Sequence, residues 1–148
     1  MIDGVMLTKV SIIPGSNGDV LHALKNDEQS FHGFGEAYMS TIKRGAIKAW
    51  KRHKKMTLNL VVPFGRVKFV IYDSRPKSPS RGEIFDVTLS REHYLRLTIP
   101  PMVWFGFKGV GDGLSMVLNV ADIKHDPDEC EQLDPSENKI PYDWSNAG

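Results

Sequence analysis

The feature that most constrains the fold is a succession of short segments rich in β-branched and aromatic residues, each bounded by glycine, proline or serine. Such segments are typical of β-strands. Helical character is confined to residues 19–25, which argues against a fold that alternates strands with long helices. The pattern predicts an all-β sandwich or closed barrel. The predicted strands are 36–42, 46–53, 58–62, 67–72, 83–89, 94–99, 103–108 and 116–121.

The segments between these strands carry turn residues. Pro63-Phe64-Gly65 and the serine- and proline-rich residues 74–82 predict a turn and a loop. Pro100-Pro101 ends a strand, because proline cannot donate a hydrogen bond to a sheet. The glycine-rich residues 109–113 predict a hairpin turn. Residues 126–144 are polar and acidic, and we expect coil or short turns there.

Length and composition narrow the class of protein. A chain of 148 residues makes one domain, here 1–148, with a core that needs neither disulfide nor metal. Cys130 is the only cysteine, and the net charge of +1 argues against a dedicated nucleic-acid binder. No apolar run is long enough for a membrane helix, and the first ten residues lack the pattern of a signal peptide. We therefore expect a cytoplasmic protein that does not bind membranes.

Residues 43–55 form a basic segment, in which seven of thirteen residues are lysine or arginine. Simple alternation along a strand predicts Ala49, Lys51 and His53 on one face. It predicts Lys48, Trp50 and Arg52 on the other face. One interpretation is a solvated edge strand protected by lysines. The other is an anion site in which Trp50 stacks on a base or sugar.

Three other features are candidates for a functional role: an aromatic segment, an acidic segment and the histidines. The aromatic residues 99–107 form either a core cluster or the wall of a ligand pocket. The acidic residues 125–129 are interpreted as a proline-stiffened loop. The five histidines show no metal-binding spacing, so neither a metal nor another cofactor is predicted.

An ordered set of segments is informative as a whole: 34–38, 45–59, 65–75 with Ser78-Pro79, 89–90, 99–107 and 125–144. Taken in this order, they resemble the dTDP-4-dehydrorhamnose 3,5-epimerase-like branch of the cupins, and short members of polysaccharide gene clusters in particular. The resemblance covers about three-quarters of the chain. It implies a cupin or jelly-roll β-barrel with short helical or coil segments at its termini. It also implies a homodimer that acts without a metal on nucleotide-linked 4-keto sugars.

The resemblance also implies positions for the catalytic groups. Such epimerases move a proton on the carbon next to a ketone, which needs a base on one face and an acid on the other. The family's base histidine corresponds to Lys51, and its acid tyrosine to Ile123. His53 matches a second histidine of the short relatives, and Phe105 stands at the position of a pocket histidine. The lysine that assists the enolate falls near Leu58, and the aspartate that orients the base lies in a C-terminal extension that this chain lacks.

The predicted function is therefore a sugar-nucleotide epimerase or isomerase of polysaccharide or deoxysugar synthesis, with His53 or Lys51 as the base. A non-catalytic relative that binds a sugar nucleotide or scaffolds an enzyme is the alternative. Nucleic-acid binding by the basic strand is a third interpretation, against which the net charge argues. The residues predicted to bind substrate are Lys48, Trp50, Arg52, Lys55, Asn59, Trp104, Phe105, Phe107, Asn119 and His125.

Overall fold

The computed structural model of the chain describes residues 1–146; Ala147 and Gly148, the end of the predicted domain, lie outside the described residues. The described chain forms twelve strands and two 3₁₀ turns, Pro127–Glu129 and Trp144–Asn146. No helix among residues 1–146 is long and apolar enough to cross a membrane. The strands are β1 (Met6–Lys9), β2 (Ile12–Ile13), β3 (Val20–Leu21), β4 (Glu36–Ile42), β5 (Ile47–His53), β6 (Leu58–Phe64), β7 (Arg66–Tyr72), β8 (Ile84–Ser90), β9 (Leu95–Ile99), β10 (Trp104–Gly109), β11 (Ser115–Ala121) and β12 (Cys130–Gln132).

Ten of these strands form two antiparallel five-stranded sheets, and β2 pairs with β3 in a small ribbon. Sheet I has the order β1-β9-β6-β11-β4, and sheet II the order β12-β5-β10-β7-β8. The main core lies between the two sheets and contains fully buried Phe69, Leu97 and Ile99. The predicted all-β jelly-roll barrel is thereby confirmed.

A second hydrophobic cluster lies on the outer face of sheet II. Trp50, Val70 and Trp104 of the sheet pack there against Ile140 and Trp144. The segment after β12, predicted as surface coil, thus supplies two buried side chains. It covers the outer face of sheet II around Val70, which explains why residues 69–72 of β7 are apolar or aromatic on both faces of the sheet.

Two local predictions are wrong. Residues 19–25 form no helix: β3 lies there, and its Val20 and Leu21 pair with β2. Residues 109–113 do not close a hairpin, because β10 belongs to sheet II and β11 to sheet I. Both edges of β10 already pair, one with β5 and one with β7, so the glycine-rich segment connects the sheets instead.

Candidate active site

A cavity of about 360 Å³ opens between the two sheets. Its sheet II wall carries three basic side chains and two aromatic rings: Lys48, Lys51, His53, Phe105 and Phe107. Its sheet I wall combines apolar residues of β6 and β11 with polar groups on β4 and β11: Tyr38, Ser40, Leu58, Leu60, Val117 and Asn119. A cavity with a cationic wall and aromatic surfaces suits an organic anion.

A bulge in β5 decides which basic residues face the cavity. Lys51 pairs with Phe105 and Lys48 with Phe107, so three steps along β5 match two along β10. Directly paired residues share a face, which places Lys48 with Lys51 and His53 on the inner side. The Lys48 ammonium donates to the backbone oxygen of Thr41 across the gap between the sheets, at 2.7 Å. The alternation predicted from sequence, which grouped Lys48 with Trp50 and Arg52, is therefore wrong at this strand.

The extra residue of the bulge lies on the outer face. Ala49 and Trp50 both pack in the second hydrophobic cluster, although they are consecutive. The indole of Trp50 lies 5.1 Å from that of Trp144, measured between ring centroids. Trp50 borders the cavity, but its ring belongs to the cluster outside the barrel. Gly106 makes this packing possible, since a Cβ there would lie 2.5 Å from that of Ala49.

His53 is buried and forms a hydrogen-bonded pair with a carboxylate. Its Nδ1 contacts Oε1 of Glu129, and both side chains are almost entirely excluded from solvent. The other carboxylate oxygen of Glu129 accepts from the amides of Lys55 and Met56, at 3.1 and 3.2 Å. The Phe105 ring stacks on the imidazole with centroids 6.1 Å apart. These contacts fix both the position and the plane of the imidazole.

The electrostatics of the pair set the tautomer of the imidazole. Burial alone raises the pKa of Glu129, but hydrogen bonds from His53, Lys55 and Met56 outweigh it and lower the pKa below its usual value. The carboxylate is thus ionised and holds the Nδ1 proton of His53. In the neutral ring the lone pair is then on Nε2. His53 lines the cavity, so it can act there as a base through Nε2.

Glu129 was missed by the sequence analysis, which interpreted residues 125–129 as a loop. Asp126 caps the short 3₁₀ turn that contains Glu129, and β12 follows directly. Cys130 of β12 then pairs with His53 of β5, which brings the preceding glutamate against the imidazole. Nothing in the local sequence predicts this pairing, because the signal is a contact between strands far apart in the chain.

Tyr38 and Asn119 form the polar part of the opposite wall. The two residues are directly paired between β4 and β11. The Asn119 amide nitrogen donates to the phenolic oxygen of Tyr38 at 3.2 Å. The sequence analysis predicted Asn119 as a substrate-binding residue, whereas it included Tyr38 only in a segment that carries the family resemblance. No group of three or more histidine, cysteine or acidic residues within residues 1–146 could hold a metal ion.

Six of the twelve predicted site residues line the cavity with their side chains: Lys48, Lys51, His53, Phe105, Phe107 and Asn119. Arg52 and Trp104 lie on the outer face of sheet II instead. The guanidinium of Arg52 lies 4.6 Å from the centre of the Trp104 ring and pairs with Glu131 at 2.7 Å. These contacts occupy Arg52 away from the cavity.

Three further predicted residues are also outside the cavity. Lys55 and His125 are exposed and do not line it. Asn59 is buried, but its amide is engaged elsewhere: it donates to the Ser30 carbonyl at 3.0 Å and accepts from the Thr98 hydroxyl at 2.7 Å. Because neighbouring Leu58 and Leu60 point into the core, the side chain of Asn59 points to the outer face of sheet I.

The family model described as dTDP-4-dehydrorhamnose 3,5-epimerase matches residues 1–147. This chain belongs to that epimerase family. The fold of this epimerase-family protein is similar to the crystal structure of a dTDP sugar isomerase from Desulfovibrio desulfuricans G20. The TM-score is 0.97 and the identity 41%, over 99% of this chain and 94% of that one.

Two further proteins broaden the comparison. The probable low-salt glycan biosynthesis epimerase of Haloferax volcanii is 30% identical over 144 residues, covering 96% of this chain and 89% of that protein. The crystal structure of a dTDP-6-deoxy-D-glucose-3,5-epimerase from Legionella pneumophila, in complex with dTDP-4-keto-L-rhamnose, has a TM-score of 0.84. Its identity is 18%, over 97% of this chain and 79% of that one, so this likeness shows the fold alone.

Proposed function

We propose that this epimerase-family protein inverts a carbon next to the ketone of a nucleotide-linked 4-keto sugar, in the synthesis of a glycan. The observation that carries the proposal is the His53–Glu129 pair at the wall of a cavity that also contains two lysines. Removal of a proton next to a ketone needs an oriented base and a positive charge at the oxygen that becomes an enolate. The sheet II wall supplies both.

We assign the base to His53. Its Nε2 takes the proton from the carbon next to the ketone, and the electron pair of the broken C–H bond moves to the carbonyl oxygen. The resulting imidazolium is stabilised by the ionised carboxylate of Glu129. Neutral imidazole carries a lone pair already, whereas a lysine ammonium must first lose a proton. This difference favours His53 over Lys51 as the base.

We assign Lys51 to the developing enolate. Its side chain lines the cavity beside His53, and among residues 1–146 its ammonium forms no ion pair or hydrogen bond. An ammonium in this position stabilises negative charge on the substrate oxygen. Lys48 lies on the same wall and pairs with Phe107, two residues along β10 from the partner of Lys51. It is the candidate to contact the anionic diphosphate.

The proposed ligand is a nucleotide sugar, with dTDP-linked 4-keto-6-deoxy sugars as the first class to test. The names of the relatives support this class, since they include a dTDP sugar isomerase and a complex with dTDP-4-keto-L-rhamnose. The glycan biosynthesis epimerase of Haloferax volcanii supports the wider role. We also propose a cytoplasmic homodimer. Exposed Met39 and Phe64 on sheet I support self-association, and the free Cys130 suits a reducing compartment.

The test is solvent exchange followed by NMR. The protein is mixed in D₂O with a panel of nucleotide 4-keto-6-deoxy sugars, and deuterium entering C3 and C5 is measured. We expect exchange by the wild-type protein, and a loss of about 100-fold or more in His53→Gln because a general base is removed. His93→Gln, which changes an exposed histidine bonded to the Thr88 carbonyl, is the matched control.

Two outcomes would contradict the proposal. Exchange by His53→Gln at the wild-type rate would exclude His53 as the base. Binding of the nucleotide sugars without exchange at either carbon would favour the alternative, a non-catalytic relative. That alternative draws on one observation from the sequence: Lys51 and Ile123 stand where the family resemblance implies the base and the acid.

A further inference from the structure

We propose that Tyr38 is the proton donor on the face of the sugar opposite His53; this assignment rests on the proposed epimerase function. Inversion at a carbon requires that the proton leave from one face and return to the other. His53 belongs to the sheet II wall of the cavity, so the donor must come from the sheet I wall. Among the described residues that line the sheet I wall, Tyr38 is the one with an ordinary acid–base group.

The position of Tyr38 suits this role. It lies in β4, at the edge of sheet I, and directly opposite Asn119 of β11. Its side chain lines the cavity, yet the residue is 39% exposed. The phenol therefore reaches a ligand between the sheets and also recovers a proton from solvent after each turnover.

Asn119 fixes the hydrogen-bond role of the phenol. The Asn119 side-chain oxygen accepts from the backbone amide of Asn59 at 3.2 Å, which sets the orientation of the side-chain amide. Its nitrogen consequently faces Tyr38 and donates to the phenolic oxygen. With its oxygen accepting this bond, the phenol keeps its own proton to donate. The same bond stabilises the phenolate that remains.

The position implied for the family's acid tyrosine cannot serve in this chain. Ile123 stands there and packs against the main core. Its backbone also lies against Gly35, where a Cβ would come within 2.0 Å of the Ile123 carbonyl carbon. Tyr38, three residues after Gly35, offers the acid from a different strand. The cavity can thus carry out the same proton return with a tyrosine from β4.

The proton transfers balance over one turnover. His53 Nε2 removes the proton from one face, and the electron pair of that C–H bond forms the enolate. The Tyr38 hydroxyl then gives its proton to the same carbon from the opposite face, the new C–H bond forms and the carbonyl is restored. One proton has moved from Tyr38 to His53 through the substrate, and exchange with solvent restores both groups.

Tyr38→Phe separates the two half-reactions. In D₂O, His53 of this variant still removes the proton and returns a deuteron to the same face. We expect deuterium incorporation within about threefold of wild type and inversion reduced by about 100-fold or more, as for the loss of a general acid. One NMR series measures both deuterium incorporation and inversion. Thermal unfolding checks that the variant is folded. Tyr72→Phe, outside the cavity, is the control.

A second variant keeps the tyrosine and changes its partner. Asn119→Asp preserves an oxygen for the Asn59 amide but replaces the donor to Tyr38 with a carboxylate. That carboxylate accepts the phenolic proton and opposes the phenolate, so we expect inversion to fall about tenfold while exchange continues. Asn119 acts as a positioning residue for Tyr38. A merely structural role would change protein stability, whereas the positioning role changes the ratio of inversion to exchange.

Each outcome has a distinct meaning. Inversion by Tyr38→Phe at the wild-type rate would overturn the assignment. Equal loss of exchange and inversion in a folded Tyr38→Phe would also overturn it, because the residue would then not act on one face alone. The absence of exchange by the wild-type protein would instead overturn the proposed function, and the role of Tyr38 with it.

Discussion

The imidazole of His53 is hydrogen-bonded to the carboxylate of Glu129, although 76 positions separate the two residues in the chain. The contact exists because β12 adds to the edge of sheet II beside β5. It gives the imidazole of His53 a defined tautomer. Glu129 is therefore the residue on which the proposed base depends.

Glu129→Gln is expected to lower kcat by about 10²- to 10⁴-fold, because a neutral amide neither fixes the tautomer nor stabilises the imidazolium. Steady-state rates with an active nucleotide sugar measure the effect. Glu131→Gln, which removes a carboxylate two residues away on the outer face, is the matched control and should keep its activity. Similar rates in the two variants would exclude the orienting role of Glu129.

Lys51 is tested by two substitutions that separate its possible roles. Lys51→Met removes the charge and should lower kcat by about 100-fold, the scale for loss of one group at an oxyanion. Lys51→Arg keeps the charge but cannot act as a base, so we expect it to retain much more activity than Lys51→Met. Deuterium exchange and turnover are measured for both, with Lys77→Met as the exposed control. Equal loss in both variants would instead identify Lys51 as the base.

Asp73 makes the stability of the fold depend on pH. It is fully buried and accepts hydrogen bonds from Arg75, Ser78 and Ser80. Burial raises its pKa, but these bonds lower it far below the ordinary value of 3.8. The unfolded chain therefore binds a proton at a higher pH than the folded chain. The resulting stabilisation is complete above about pH 5 and is lost as the pH falls towards the folded pKa.

Asp73→Asn tests this dependence. We expect it to reduce the free energy of unfolding at neutral pH by about 3 kcal/mol, since it leaves Arg75 without its buried partner. The difference from wild type should shrink in acid, because the wild-type protein loses the same contribution there. Urea unfolding at several pH values measures both effects, and Asp112→Asn at an exposed position is the control. A difference independent of pH would contradict the linkage.

A side chain at position 106 is expected to reduce the stability of the fold. A Cβ there would lie 2.5 Å from the Cβ of Ala49 and 3.0 Å from the Trp144 ring. Gly106→Ala should therefore destabilise the protein by about 1–3 kcal/mol through overpacking. Gly113→Ala, where nothing lies within 4 Å of the new Cβ, should be nearly neutral. Thermal unfolding compares the two, and equal melting temperatures would show that the bulge and the second cluster adapt.

The sequence by itself determined the class of fold and most of the strands. Segment 36–42 was predicted with the bounds that β4 has, because a strand's period of two and its β-branched residues reflect backbone geometry that is local. The family resemblance predicted a role for His53 for the same reason, because a sequence motif depends on residues adjacent in the chain. The cavity-facing positions of Phe105 and Phe107 follow from the same alternation along β10.

Tertiary structure alone decided how the site is completed. The bulge that turns Lys48 inward depends on packing between β5 and β10, and the failed hairpin at residues 109–113 depends on which edges of β10 were already paired. Glu129 reaches His53, and Asn119 reaches Tyr38 across 81 positions, through strand pairings that no local pattern encodes. Such contacts are fixed by the burial of whole sheets against each other, and that is a property of the complete chain.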